Sequence, residues 1–151
     1  MLRNRADGGT KSLGMARIGC DLTDVDAVAE SINFFGDRYL RRVYTDTELT
    51  QSQRTPERLA ARFAAKEAVY KVLRTTSGIG YTEIEVVTDR DGAPHVQLSP
   101  KAQRVADQQR LGPIAISLSH ERGLALATAI AFSDDAPADE DTTQQRGSDG
   151  V

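Results

Sequence analysis

The segment from Pro56 to about Arg74 constrains the fold more than any other part of the sequence. Alanines and long unbranched side chains dominate it, and proline stands at its first helical position, so it is predicted to form a long helix. Since each residue advances about 100° around a helix, apolar side chains cover most of its circumference. Such a helix is predicted to be buried at the centre of a domain.

Two charged residues interrupt this apolar surface. Glu67 and Lys71 share one sector, one turn apart, bordered by the small Ala60 and Ala64. On an exposed face, a pair of this spacing is ordinary and contributes about 0.3–0.5 kcal/mol. In a buried helix, an uncompensated carboxylate costs far more than that. A cation at Glu67 and a phosphate at Lys71 would supply the compensation. A candidate binding site and a surface ion pair therefore remain alternative interpretations.

The rest of the sequence alternates between strand and helix patterns. Strands are predicted at 16–22, 84–88, 94–98, 114–118 and 124–132, and further helices at 25–35, 39–43, from Thr45 and at 99–111. Turn residues join neighbouring strands at 89–92 and 120–123. The pattern predicts an α+β fold, with a mainly antiparallel sheet packed on the long central helix.

One domain is expected, over residues 15–132, because 151 residues suffice for one core. Residues 1–14 and the acidic segment 133–151 are poor in apolar side chains and are predicted to be a disordered lead-in and tail. The net charge is −3 for the chain but +2 for residues 1–132, which suits phosphate ligands or an acidic partner.

The cellular context is predicted from the cysteine count and from hydropathy. The single cysteine, Cys20, excludes an intrachain disulfide and indicates the reducing cytoplasm; in an apolar strand it is predicted to be a small core residue. No apolar run approaches the roughly 20 residues needed to cross a bilayer. We expect neither a membrane nor nucleic acid as a partner.

Two further segments carry candidate site residues. Asp21 follows Gly19 at the end of the first strand, where it is either a second carboxylate for a hard cation or a helix cap. In the segment 116–120, alternation places Ser117 and Ser119 on one face and His120 at the exit of the strand. His120 either donates a hydrogen bond to a phosphate or carries a proton near neutral pH, or it is a turn residue without a role.

Four motifs occur in order along the chain: Gly19-Cys20-Asp21-Leu22, Thr45-Asp46-Thr47-Glu48-Leu49, Arg62-Phe63-Ala64-Ala65-Lys66-Glu67-Ala68 followed by Lys71, and Ser117-Leu118-Ser119-His120. This series resembles the 4'-phosphopantetheinyl transferases of the small holo-acyl-carrier-protein synthase type. The similarity covers roughly 16–132. Such enzymes transfer the phosphopantetheine arm of coenzyme A to a serine of an acidic acyl-carrier protein and release adenosine 3',5'-bisphosphate.

The resemblance implies a role for each matching residue. Asp21 and Glu67 would coordinate Mg2+, and Lys71 would contact the diphosphate of coenzyme A. The coenzyme A site would also include Lys66, Arg62, Ser117, Ser119 and His120. The attacking serine belongs to the carrier, so the base is left open between Glu67 and a metal-bound water. The resemblance further implies a homotrimer with sites at its subunit interfaces.

The chain departs from the family pattern at two places. Ala27 occupies a position where an arginine that docks the carrier is usual, and its helix is acidic; Arg38, Arg41 and Arg42 downstream are candidates for the docking role. After Lys71, the sequence from Arg74 to Ser77 replaces a Gly-Thr-Gly turn. Two alternatives therefore stay open beside the transferase: a trimeric binding or assembly module, and an enzyme acting on coenzyme A thioesters.

Overall fold

The computed structural model describes residues 14–75 and 78–134, and these form an α+β fold as predicted. The strands are β1 (Met15–Asp24), β2 (Ile84–Thr88), β3 (Pro94–Leu98), β4 (Ala115–Glu121) and β5 (Leu124–Ser133). The helices are α1 (Val25–Phe35), α2 (Asp37–Val43), α3 (Asp46–Gln51), α4 (Pro56–Leu73) and α5 (Pro100–Gln108), with a short 3-10 turn over Tyr81–Glu83. Most of the predicted lead-in, 1–14, and of the tail, 133–151, lies outside the described residues.

Local signals in the sequence fix several element ends. The Asp24 side chain caps α1 by accepting from the Asp26 amide at 2.8 Å, and Gly36, at φ 57°, ends that helix. Thr45 and Glu48 form a capping box at the start of α3, where a helix was predicted. Several boundaries differ from prediction by one to three residues. Helix α5 ends at Gln108 rather than near 111, and His120 belongs to β4 rather than to the turn, which is reduced to Arg122 and Gly123.

The strands form two antiparallel sheets. Strand β5 is the centre of a three-stranded sheet in the order β1-β5-β4, whereas β2 and β3 pair as a separate hairpin. Across the larger sheet, Asp21 lies opposite Ala127, and Ala127 lies opposite Leu118. Because side chains alternate between the faces of a strand, this register assigns every residue of β1, β5 and β4 to one of two faces.

Helix α4 packs closely against the inner face of this sheet. From 125 to 131, that face of β5 carries only alanines, at 125, 127, 129 and 131, all buried. On β1 the contact is closer still, since a Cβ added at Gly19 would lie 1.9 Å from the Ala68 carbonyl oxygen. Small residues therefore let the helix approach, and Asp21, two residues beyond Gly19, shares the face that α4 covers.

The outer face of the same sheet is exposed and largely apolar. Ile18 and Leu22 expose 69% and 60% of their surface, and Leu126 and Phe132 expose 40% and 50%. Cys20 lies on this face and is also exposed. The prediction of a core position for Cys20 is therefore wrong, because strand parity turns it away from α4. In the described part of the chain, every helix is too short or too polar to span a membrane.

Candidate active site

The structure brings Asp21 and Lys71 together where β1 crosses α4. The Lys71 Nζ lies 3.0 Å from Oδ1 of Asp21 and also donates to the Cys20 carbonyl oxygen. Oδ2 of Asp21 accepts from the Thr23 hydroxyl at 3.2 Å. Because Asp24 caps α1, the capping interpretation of Asp21 does not apply. Asp21 is a half-buried carboxylate held beside an ammonium group.

Glu67 lies near the same end of α4, one turn before Lys71, and its side chain is half-buried. Its Oε1 accepts a hydrogen bond of 2.5 Å from the Tyr81 hydroxyl. The described ion pairs do not join Glu67 to Lys71, so the surface-pair interpretation does not describe this helix. Burial, together with the bond to Glu67, raises the pKa of Tyr81 above its ordinary value, so the phenol is a protonated donor at neutral pH.

A cavity of about 670 Å³ opens beside these residues. Its wall carries the cationic side chains of Arg42, Lys71 and Arg74 against the single carboxylate of Glu67, and its other lining residues are Tyr70, Thr75, Ile79, Gly80 and Tyr81. Such a surplus of positive charge in a concave site favours an anionic ligand.

The donor set fits a hard cation that keeps most of its own ligands. Asp21 and Glu67 offer carboxylate oxygens, and the described residues hold no cluster of three or more His, Cys, Asp or Glu side chains. Zinc and calcium sites usually take more ligands from the protein. One or two carboxylates, completed by water and phosphate oxygens, is the usual arrangement for Mg2+.

Arg74 ends α4 in a left-handed conformation, with φ 48° and ψ 36°. A side chain is unfavourable there relative to glycine, which adopts this conformation without strain. The chain instead places a guanidinium on the cavity wall. Of the departing segment after Lys71, Thr76 and Ser77 lie outside the described residues.

Lys66 lies away from this cavity. Its side chain has no exposed surface, and its Nζ donates to Glu48 Oε2 and to the Tyr81 carbonyl oxygen, both at 2.8 Å. Burial lowers the pKa of Lys66, and the Glu48 carboxylate opposes that shift. Lys66 therefore supports the core and does not line the cavity, and its contact with coenzyme A stays a prediction.

Arg62 is also buried, with 6% of its surface exposed. Its guanidinium donates to the Arg58 carbonyl oxygen at 3.3 Å and to the Thr88 hydroxyl at 3.4 Å, whereas its Nε has no hydrogen-bond partner. Burial lowers its pKa. These contacts direct Arg62 toward β2, and its contact with coenzyme A likewise stays a prediction.

Ser117, Ser119 and His120 do not join the site within one chain. Ser117 and Ser119 share one face of β4, as predicted, but Leu118 is the residue in register with Asp21, so both serines lie on the outer face. His120 shares the inner face with Asp21, yet β5 separates their strands by two spacings, roughly 9–10 Å.

Two residues of the site escaped the sequence analysis. Tyr81 follows a segment without clear periodicity, so no local pattern indicated that it would return to α4. Arg42 was identified only as a candidate for docking a partner, whereas it also lines the cavity. Both contacts depend on how α2 and the 3-10 turn pack against α4, which spacing along the chain does not indicate.

The family model described as the 4'-phosphopantetheinyl transferase superfamily matches residues 17–129. The chain belongs to this family. Its relatives include the holo-(acyl-carrier-protein) synthase of Solibacter usitatus, 38% identical over 117 residues, which cover 74% of this chain and 94% of that protein. The corresponding enzyme of Halothermothrix orenii is 36% identical over 117 residues, 75% of this chain and 94% of that protein.

Solved structures of the family share the fold. The holo-(acyl-carrier-protein) synthase from Neisseria meningitidis superposes with a TM-score of 0.72 at 27% identity, covering 78% of this chain and 98% of that one. The synthase from Bacillus anthracis, in complex with CoA (3',5'-ADP), gives a TM-score of 0.62 at 27% identity, covering 78% and 96%. The family members therefore match the described domain over nearly their own full length.

Proposed function

We propose that the protein is a holo-(acyl-carrier-protein) synthase, which transfers the 4'-phosphopantetheine group of coenzyme A to a serine of an apo acyl-carrier protein. The observation that carries this proposal is an open, cationic cavity lined by Glu67 and by Lys71, whose Nζ pairs with Asp21, in a chain of this family. The serine oxygen forms a new bond to phosphorus, and the phosphoanhydride bond to adenosine 3',5'-bisphosphate breaks.

The site suits this chemistry because phosphoryl transfer depends mainly on positioning and charge neutralisation. Asp21 and Glu67 would hold Mg2+, whose positive charge would offset the negative charge of the coenzyme A diphosphate. The Nζ of Lys71 has three protons, and two contacts with Cys20 and Asp21 leave one for a phosphate oxygen. Arg42 and Arg74 add positive charge on the same wall. The serine proton passes to Glu67 or to water.

We propose that the chain assembles as a homotrimer through the outer face of the β1-β5-β4 sheet, with the buried helix α4 at the core of each subunit. Exposed Ile18, Leu22 and Phe132 make that face unfavourable in water. The same face carries Ser117 and Ser119, which point away from their own cavity. Assembly would let these serines, together with His120 at the end of β4, complete the coenzyme A site of a neighbouring subunit.

The assembly proposal has a direct test in solution. Leu22→Asp places a charge on the outer face, and sedimentation should show monomers where the wild type sediments as a trimer. Phe34→Asp is the matched control, because Phe34 is 82% exposed but lies on α1, away from the sheet. A Leu22→Asp variant that still sediments as a trimer would exclude this face as the interface.

We propose that the carrier docks on α2 rather than on α1. Ala27 and its neighbours Asp26 and Glu30 leave α1 without a positive side chain, whereas Arg38 and Arg41 are exposed on α2. Arg42, on the same helix, reaches the cavity wall, so a carrier held there would present its serine to the site.

The exposed thiol of Cys20 agrees with a cytoplasmic location.

The transfer itself is tested by incubating the full chain with coenzyme A, Mg2+ and a panel of apo carrier proteins. Intact-mass analysis should show one phosphopantetheine group added to a carrier serine. Glu67→Gln keeps the size of the side chain but removes its charge, and it should abolish the Mg2+-dependent product. If coenzyme A binds and no carrier is modified, the protein is a binding module instead.

A further inference from the structure

Tyr81 makes the hydrogen bond that fixes the orientation of Glu67. Its hydroxyl lies 2.5 Å from Oε1 of Glu67, and both residues are half-buried on the cavity wall. An ionised carboxylate can only accept hydrogen bonds, so the phenol is the donor. Bonds of this charge-assisted type are short and roughly twice as strong as neutral ones. The contact therefore selects one rotamer of Glu67 and leaves Oε2 for other ligands.

Tyr81 is itself held from three directions. Its ring packs against Phe63, with centroids 5.4 Å apart, and edge-on against Tyr70, with centroids 5.5 Å apart. Its carbonyl oxygen accepts from the buried Lys66 Nζ at 2.8 Å. Lys66 is anchored in turn by Glu48. A group fixed in this way can orient a neighbour, because its own hydroxyl has few alternative positions.

The buried Lys66, which does not line the cavity, thereby gains a connection to the site. Lys66 and Glu67 are adjacent on α4 and point to different sides of it, one into the core and one into the cavity. The loop that carries Tyr81 joins these two sides, since its main chain bonds Lys66 and its side chain bonds Glu67. The ion pair in the core thus defines where the hydroxyl beside Glu67 lies.

We propose that Tyr81 is a positioning residue that holds Glu67 in the orientation in which it binds the divalent cation, and so raises the affinity of the site for Mg2+. This inference rests on the proposed function, in which Glu67 is a metal ligand. Partners of metal ligands typically change metal affinity by about 10–100-fold when they are removed.

The test compares Tyr81→Phe with wild type in the full chain. Mg2+ is titrated calorimetrically into protein saturated with coenzyme A, and Mn2+ alone is titrated by electron paramagnetic resonance. The Tyr81→Phe substitution should weaken the binding of both metals by about 10–100-fold. In transfer assays, the Mg2+ concentration for half-maximal rate should rise by the same factor, while the rate at saturating Mg2+ recovers.

Tyr44→Phe is the matched control. It also removes one tyrosine hydroxyl, which donates to the Leu59 carbonyl oxygen at 3.1 Å in the core. It should lower thermal stability and leave metal affinity unchanged. A Tyr81→Phe variant that binds Mn2+ as tightly as wild type, or more tightly, would overturn the proposal. The Mn2+ titration needs no transfer, so a wild type that binds Mn2+ but modifies no carrier would count against the function and not against Tyr81.

Discussion

The fully buried ion pair between Lys66 and Glu48 gives the sharpest stability prediction, through the variant Lys66→Met. Methionine keeps the length of the side chain and removes both hydrogen bonds of the Nζ, to Glu48 Oε2 and to the Tyr81 carbonyl oxygen. Each bond involves a charged group and contributes about 1.5–3 kcal/mol. The Glu48 carboxylate keeps only the amides of Thr45 and Val86, each at 2.8 Å.

The expected loss in the free energy of unfolding is therefore about 3–5 kcal/mol, the usual cost of breaking a buried pair from one side. Urea denaturation followed by circular dichroism measures it, at equal protein concentrations because assembly shifts the transition. Lys101→Met is the control. Its Nζ lies 3.7 Å from Glu83 with more than half of its side chain exposed, so removing that pair should cost less than about 1 kcal/mol.

The double variant Lys66→Met/Glu48→Gln separates pairing from packing. With both charges removed, the remaining cost is an imperfectly bonded amide, about 1–3 kcal/mol. The double variant should thus be more stable than Lys66→Met alone. If Lys66→Met loses no more stability than Lys101→Met, the pair does not act as the structure indicates. The same conclusion follows if the stability losses of Lys66→Met and Glu48→Gln, each measured alone, add up to the loss of the double variant.

Three further outcomes are expected. Gly19→Ala should destabilise the fold by about 1–3 kcal/mol or more, because the new Cβ would lie 1.9 Å from the main chain of α4. Gly112→Ala should be nearly neutral in the same denaturation assay, because its Cβ would lie 3.5 Å from the nearest atom, the Phe132 carbonyl oxygen. Arg74→Gly should stabilise the chain by up to about 1 kcal/mol, since glycine accepts φ 48°. The same substitution should weaken coenzyme A binding about tenfold in calorimetry, because it removes a charged contact. An unchanged affinity would show that Arg74 does not contact coenzyme A. Burial raises the pKa of all four tyrosines, so native phenolate absorbance should develop above pH 10, and Tyr70 should titrate at about 12. The unfolded chain releases these protons first, so stability should fall as pH rises above about 10; a native titration centred at 10 would contradict this.

Elements determined by local chemistry could be predicted from the sequence. The cap at Asp24, the stop at Gly36 and the long helix from Pro56 follow from residue types within a few positions of one another. Strand alternation also placed Ser117 and Ser119 on a common face. Which face that was depended on register with β5, and pairing between distant strands is not visible in the alternation of either strand alone.

Partners across the fold explain what the sequence alone did not indicate at the site. The spacing of Glu48 from Thr45 indicates only a capping box, yet Glu48 also neutralises Lys66, 18 residues away. On the helical wheel, Lys66 points to a different side of α4 from Glu67 and Lys71, but its presence in the family motif suggested a ligand contact. Spacing indicates which side a residue faces, whereas burial and the identity of its partner decide what it does there.

The most direct test of the account is the stoichiometry of the reaction at this site. Wild-type protein, coenzyme A, Mg2+ and an apo carrier should release one adenosine 3',5'-bisphosphate for every carrier serine modified, and Glu67→Gln should release none. Bisphosphate released without a modified carrier, or carrier modified at the wild-type rate by Glu67→Gln, would contradict the assignment of Asp21, Glu67 and Lys71 as the transferase centre.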